Sequence, residues 1–250
     1  MAPTLPAARL HRVSEQPTSV AVVIPAKDEA QRIAATIAAA ATIAGVDLVV
    51  VVDDGSSDET STVAREAGAE VVRHDRNQGK GKAMQTGAAY VARHESTPHA
   101  LLFIDADLEG SAVETGALVA PVVSGAADMT IAVLPKQKSA GGGRGFVVGL
   151  ASRGIERATG WTPTQPLSGM RCLTRPAYEA AQPLAAGWGV EVGLTIDVLR
   201  RGMTIEEVPC ELHHRVTGTG LSDQLHRLSQ YRDVWRALAV RRVRAALRRP

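Results

Sequence analysis

The chain has 250 residues, 45% of them hydrophobic, enough for one large domain or two small ones; with only three Trp, three Tyr and two Phe, the core has to be packed with Ala, Val, Leu and Ile. No apolar run approaches the ~20 residues of a membrane-spanning helix, the opening residues lack an apolar signal segment, and Cys172 and Cys210 fit neither a CxxC motif nor a disulfide framework, so a reducing cytoplasm is the expected location. The net charge of +2 hides an asymmetry: residues 224–250 hold eight arginines against Asp233 alone, a net of +7, which leaves −5 for residues 1–223. A negative body with almost no aromatic interleaving speaks against nucleic acid as a partner.

Residues 1–17 read as a disordered leader and 18–220 as one α/β domain, with halves 18–134 and 135–220; residues 221–250 read as a C-terminal basic amphipathic helix. In chain order, strands are expected at 19–24, 47–53, 69–74, 100–104 and 128–134, and a later strand at 203–212. Helices are expected from Glu29 to Ala41, after DGSSDET through Ala67, from about Lys80 to Ala92, and near 111–123. Apolar strands alternating with helices predict a mostly parallel sheet with helices on both faces. The second half has a Gly-rich loop at 137–146, a helix through about Thr159, the segment PLSGMRC, and a helix near 190–201. On the tail helix, Leu228, Tyr231, Trp235, Leu238 and Ala239 share one face, which Arg242 interrupts; Arg241 and Arg244 project from the opposite face.

Ligands of such sheets bind in the crevice at the carboxyl ends of the strands. Pro25, Asp53, Asp54, Asp105 and Asp107 all fall there, with Glu29 just behind the first strand. Carboxylates at strand ends need cations, donors or water. Gathered in one crevice they suit Mg²⁺ or Mn²⁺, which take one or two protein carboxylates and complete their shell with phosphates and water. Lys80 and Lys82, at a helix start, could meet the same phosphates. The bland reading of Ser56, Ser57 and Asp58 is a turn and helix cap. GKGK (79–82) lacks the glycine and hydroxyl of a P-loop, and GGGRG (141–145) does not follow a strand as a dinucleotide fingerprint must.

VVIPAKDE, VVDDGSSDET, NQGKGKAM and FIDADLE, in this order and spacing, resemble the nucleotide-binding half of family 2-type glycosyltransferases of the GT-A fold. Downstream, GGGR (141–144), QPLSG (165–169), GWGVEVGLTID (187–197) and the His-Arg of HHR (213–215) resemble the glucosyl-3-phosphoglycerate synthases. SGMRCLTR and RVTGTGLS are similar to the dolichyl-phosphate sugar synthases. The resemblance implies a nucleotide-sugar half (18–134) and an acceptor half (135–220). It implies that Pro25, Ala26, Glu29 and Asp54 contact base and ribose, that Lys80 reaches the diphosphate or ribose, and that Asp105 touches ribose and sugar. It makes Asp107 and His214 the metal ligands, with His213 as rival, and sets Glu191 facing sugar and acceptor; the bland reading of Glu191 is a carboxylate at a helix N-terminus. Gly143, Arg144 and Arg215 would bind an anionic acceptor.

Two departures bear on that acceptor. Gly145-Phe146-Val147, with no threonine, follow the Gly-Arg pair, and Val216 rather than asparagine follows His-Arg. The expected activity is metal-dependent transfer of a hexose from a nucleotide diphosphate sugar to an anionic acceptor such as 3-phosphoglycerate. A polyprenyl-phosphate sugar synthase at the membrane is the alternative. A nucleotidyltransferase is remote, because IPAKDEAQR has no glycine for its loop. The tail leaves two further partners open, a second copy of the chain or peripheral contact with the inner face of the membrane.

Overall fold

The computed structural model describes residues 19–94, 99–135, 144–212 and 221–247. The expected leader, Gly143 with most of the Gly-rich loop, and His213, His214 and Arg215 lie outside them. Among the described residues, β1 (Val20–Ala26), β2 (Val46–Asp53), β3 (Glu70–Arg73), β4 (Ala100–Phe103), β5 (Met129–Val133), β6 (Arg171–Leu173) and β7 (Ile205–Pro209) form one sheet in the order β3-β2-β1-β4-β6-β5-β7. The first four strands are mutually parallel and β7 is parallel to β5, whereas β6 runs antiparallel to both β4 and β5.

β1, β4 and β6 are buried on both faces, the edge strands β3 and β7 are not, and alternate side chains serve different layers. Val20, Val22 and Ile24 pack with Ile33 and Ile37 of α1 (Ile33–Ala40). Ala21 and Val23 face the other way, onto Met84, Ala88 and Val91 of α3 (Lys80–His94). Gly87 lets α3 lie close, since a Cβ there would sit 3.1 Å from Val52 Cγ2. The remaining helices are α2 (Thr60–Glu66), α4 (Val119–Val123), α5 (Arg144–Thr159), α6 (Arg175–Ala180), α7 (Val190–Arg200) and α8 (Leu221–Ala246).

Three expectations need correction. The helix expected at 111–123 is a 3₁₀ segment over Glu109–Leu118 followed by the short α4, because Gly110, Gly116 and Pro121 break a longer α-helix. PLSGMRC, where no element is expected, leads into β6 with its last two residues; β6 is a central strand whose three residues are all buried. Among the described side chains of α8 the buried ones are Val234, Ala237, Arg241 and, as expected, Leu238, whereas Tyr231 and Trp235 stand 45% and 54% exposed and the Leu228 side chain lies outside what is described.

The physical reason lies in what α8 packs against. A Cβ on Gly154 would lie 2.5 Å from Leu238 Cδ1, and one on Gly189 would lie 2.6 Å from the Asp233 carbonyl oxygen. A Cβ on Gly193 would meet the Arg241 guanidinium at 2.6 Å. The helix thus sits in a glycine-floored seat on α5 and α7, too shallow for a tryptophan. Arg241 is paired there with Asp197, and its backbone oxygen accepts a 2.9 Å hydrogen bond from Arg200 Nη1. Removing one partner of a buried pair leaves the other charge uncompensated, so Arg241→Ala is expected to lower stability by about 3 kcal/mol in urea unfolding. A loss below about 1 kcal/mol, the worth of an exposed pair, would mean that α8 is not held through this contact. Among the described residues no helix is long and apolar enough to cross a membrane.

Candidate active site

The loops after β1 and β2 are locked together by the DDGSSDET sequence. Asp53 is fully buried, with Oδ1 accepting from the Ser56 amide at 2.8 Å, Oδ2 accepting from the Ser61 hydroxyl, and Arg73 Nε at 3.8 Å. Burial alone would raise its pKa; the hydrogen bonds from Ser56 and Ser61, with Arg73, outweigh it and hold the carboxyl below its ordinary value. Asp28, in the left-handed region at φ 55°, donates its amide to Ser56 Oγ at 2.9 Å and accepts from the Ser57 amide at 2.7 Å. The Glu29 amide donates to Thr60 Oγ1 at 2.8 Å and the Ala30 amide to Asp58 Oδ2 at 3.1 Å. Ser56, Ser57 and Asp58 therefore build the turn and brace its neighbour, as the bland reading has it for the turn; the N-cap of α2 is Glu59, with no side-chain cap bond.

Asp54 serves a third loop. Its oxygens accept from the Gln78 amide at 2.8 Å and the Gly79 amide at 2.7 Å, and His74 Nδ1 lies 2.7 Å away. His74 reaches Thr86 Oγ1 with its other nitrogen at 2.9 Å. Gly79, at φ 87°, supplies the left-handed residue that turns the chain into α3. Asp54 thus fixes the start of α3, and with it Lys80. Pro25 and Ala26 end β1 beside Val52 and Asp53, and the Ala26 carbonyl accepts from the Asp54 amide at 2.8 Å.

Lys80 is where the two halves meet. Its Nζ lies 2.7 Å from Asp105 Oδ1, beyond the end of β4, and 3.3 Å from Glu191 Oε1 in the first turn of α7. Burial works against the ammonium, but Asp105 and Glu191 outweigh it and raise its pKa above the ordinary lysine value. Lys80 therefore stays charged throughout the neutral range. Gly169 closes over the pair, and a Cβ there would crowd Lys80 Nζ and come within 3.0 Å of Asp105 Oδ1. The glycine of QPLSG leaves room for the pair where it stands, and a side chain there would displace the Lys80 ammonium.

The sequence reading passed over Arg171. It is fully buried at the head of β6 and donates from Nε to the Ser168 carbonyl at 2.9 Å. Nη1 donates to the Glu191 carbonyl at 3.0 Å and to Thr195 Oγ1 at 2.9 Å, and Nη2 to the Pro166 carbonyl at 3.3 Å. The available signal was a lone cation inside the apolar run Met170–Leu173.

Asp105 and Asp107 flank a turn held from behind by Thr36 of α1. Thr36 Oγ1 donates to the Ala106 carbonyl at 2.8 Å and accepts from the Glu109 amide at 2.8 Å. Glu109 itself takes the left-handed conformation at φ 49°. Asp107 is half-buried and acts on Glu29 and Arg32, which are themselves paired at 2.6 Å. Burial raises the pKa of Glu29, with Arg32 opposing.

Among the described residues no group of three or more His, Cys, Asp or Glu side chains is arranged to hold a metal by itself. A hard cation takes a carboxylate or two from the protein and the rest of its shell from phosphate and water. Asp107, with Asp105 two residues before it, offers oxygen donors of the right kind. Arg144 opens α5, its side chain lying outside what is described, as do Gly143, His213, His214 and Arg215.

Residues 21–165 match Glycosyl transferase family 2. A glucosyl-3-phosphoglycerate synthase of Mycolicibacterium paratuberculosis is 30% identical over 73% of this chain, which spans 60% of that relative's length. Glycosyltransferase AglJ of Haloferax volcanii is 27% identical over 81% of this chain and 66% of its own. Among solved structures, glucosyl-3-phosphoglycerate synthase from Mycobacterium tuberculosis in complex with phosphoglyceric acid superposes with a TM-score of 0.72 at 29% identity, over 90% of this chain and 80% of that one. The same enzyme in complex with Mn²⁺, uridine diphosphate and phosphoglyceric acid gives 0.72 at 28%, over 90% and 78%; a further structure holds Mg²⁺ and uridine diphosphate. The sheet with helices on both faces is the GT-A arrangement that the sequence leads one to expect. Matched over more than half its length, the chain belongs to glycosyl transferase family 2.

Proposed function

We propose that the chain transfers a hexose from a nucleotide diphosphate sugar to a small phosphorylated acid of the 3-phosphoglycerate kind, with Mg²⁺ or Mn²⁺. The observation that carries this is Lys80, held 2.7 Å from Asp105 and 3.3 Å from Glu191 at the first turn of α3 and beneath Gly169. The relatives crystallised with Mn²⁺, uridine diphosphate and phosphoglyceric acid support the choice of donor, metal and acceptor class.

In this reading the base and ribose lie along Pro25, Ala26, Glu29 and Asp54. The α3 N-terminus and the Lys80 ammonium face the diphosphate, where charge grows as the glycosidic bond breaks. Asp105 orients Lys80 and the donor sugar. Asp107 and His214 would hold the cation, which when bound supplies positive charge to the departing diphosphate. Gly143, Arg144 and Arg215 take the acceptor anion, bidentately where a guanidinium meets a phosphate. Glu191 lies across Lys80 from Asp105, on the acceptor side. For an inverting transfer it accepts the proton of the attacking hydroxyl; for a retaining one it orients that hydroxyl and the leaving phosphate takes the proton.

A second reading, a polyprenyl-phosphate acceptor at the membrane, draws on the outer face of α8. Tyr231 and Trp235 stand exposed there beside Arg232, Arg236 and Arg242, and aromatic residues with arginines suit an anionic interface. The same face would serve for contact with a second copy of the chain.

One experiment separates these readings. The protein is incubated with a panel of nucleotide sugars, with Mg²⁺ or Mn²⁺ and with EDTA, and the released diphosphate is measured. The expected result is metal-dependent consumption of one donor, accelerated by 3-phosphoglycerate. Acceleration only by a polyprenyl phosphate in anionic vesicles would select the second reading. Consumption of no donor, or full turnover in EDTA, would overturn the proposal.

A further inference from the structure

We propose that Arg171 is the positioning residue of the centre. It ties the segment over Lys80 to the start of the helix that carries Glu191, so that Lys80, Asp105 and Glu191 hold one geometry. The inference rests on the reading of those three residues as the reacting centre.

Three observations carry it. First, the guanidinium is fully buried and its donors go to the carbonyls of Pro166, Ser168 and Glu191 and to the Thr195 hydroxyl, not to a carboxylate. Burial pushes its pKa down to about 10, with Glu191 and Glu207 opposing from a distance. A buried charge satisfied this way is a poor source of net stability, and an apolar residue would suit a central strand better. Second, the backbone it grips leads straight into Gly169, where an added Cβ would crowd Lys80 Nζ and come within 3.0 Å of Asp105 Oδ1. Third, the other end of the same fork holds the Glu191 carbonyl, one residue into α7. A rigid planar fork spanning two segments fixes their separation in a way that a single ammonium cannot. The Thr195 hydroxyl closes the arrangement by donating to the same Glu191 carbonyl at 2.9 Å.

The test uses the full chain with Arg171→Met and Arg171→Lys. Folding is checked by thermal unfolding. Turnover is resolved into kcat and the donor KM, and the reactivity of Lys80 towards an amine-acylating reagent is read by mass spectrometry. Acylation needs the neutral amine, so the two carboxylates protect Lys80 while the segment over it is in place. In folded Arg171→Met, kcat is expected to fall about 100-fold with the donor KM little changed, as for a small misplacement of reacting groups. Lys80 labelling is expected to rise several-fold. Arg171→Lys, satisfying some of the same acceptors, is expected to recover about a tenth of the native kcat. If Arg171→Met does not fold, Arg171→Lys carries the test with the same signs. Native labelling and kcat in a folded variant, or a loss confined to the donor KM, would overturn the proposal. A native chain that consumes no nucleotide sugar would sink the glycosyltransfer reading and leave the labelling difference standing. Unchanged labelling with native turnover intact would sink the positioning role alone.

Discussion

Lys80→Met is expected to lower kcat by about 100- to 1,000-fold, the usual consequence of removing one preorganised electrostatic contact to a developing charge. The loss has two sources. The departing diphosphate is deprived of the ammonium that faces it, and Asp105 and Glu191, separated in the native protein by the Lys80 Nζ at 2.7 and 3.3 Å, are left as two carboxylates with no cation between them. Lys80→Arg is not expected to rescue. The space over the Nζ is too tight even for a Cβ on Gly169, so a guanidinium has to displace that segment, and an arginine does not stand in for a point charge. The fold is expected to persist, because the start of α3 is held by Asp54 and not by the lysine side chain. Steady-state kinetics on both variants, with circular dichroism to confirm folding, make the check. Native kcat in Lys80→Met would remove the lysine from the reaction.

Asp107→Asn is expected to abolish metal-dependent turnover, a fall of at least about 100-fold. The residue is half-buried in a turn that Thr36 supports from behind through backbone groups of Ala106 and Glu109, and Asn keeps its size and shape. Thermal stability is therefore expected to stay near native. Binding of Mn²⁺ in the presence of uridine diphosphate, followed by electron paramagnetic resonance, gives a readout independent of catalysis, and it is expected to weaken in parallel. Equal Mn²⁺ binding by the native and Asp107→Asn proteins would assign the cation to other ligands.

Both variants concern residues that the sequence made legible, for a definite reason. Asp105 and Asp107 follow an apolar run at a strand end, and Lys80 follows a glycine at a helix start. These are local patterns whose chemistry is decided within a few residues. The parallel strands β1, β2 and β4 were readable in the same way, as short apolar runs between turn signals. What escaped was decided by partners distant in sequence. β6 is three residues long, too short for any periodicity, and it begins with an arginine whose acceptors include the Glu191 carbonyl and the Thr195 hydroxyl of α7, 20 and 24 positions on. On α8 the period was correct and the phase was off by about a quarter of a turn. The residues Tyr231 and Trp235 are more apolar than Arg241, and nothing within the helix reveals that Asp197, 44 positions earlier, awaits that guanidinium. The glycines of GWGVEVG were read as part of a family motif; their steric use as a floor for α8 depends on a helix that begins some thirty residues later.

The reversed direction of β6 also decides how the chain can vary around its centre. A parallel strand delivers only the residues that follow it to the crevice, and β1, β2 and β4 each do so. β6 runs the other way, with Arg171 beside Phe103 at the carboxyl end of β4, so it delivers the residues that precede it. The approach to the crevice from α5 is therefore a tethered lead ending in a fixed anchor: the Thr164 and Gln165 amides donate to Glu207 Oε1 of β7 at 2.8 and 3.2 Å, and the Gln165 side chain meets the Leu134 backbone just past β5. Both ends of the stretch from Thr164 to Arg171 are thus fixed to the sheet, with Gly169 between them against Lys80. Relatives that share this reversed strand are expected to keep the length of that stretch, because an insertion there would have to displace either the ties or the anchor.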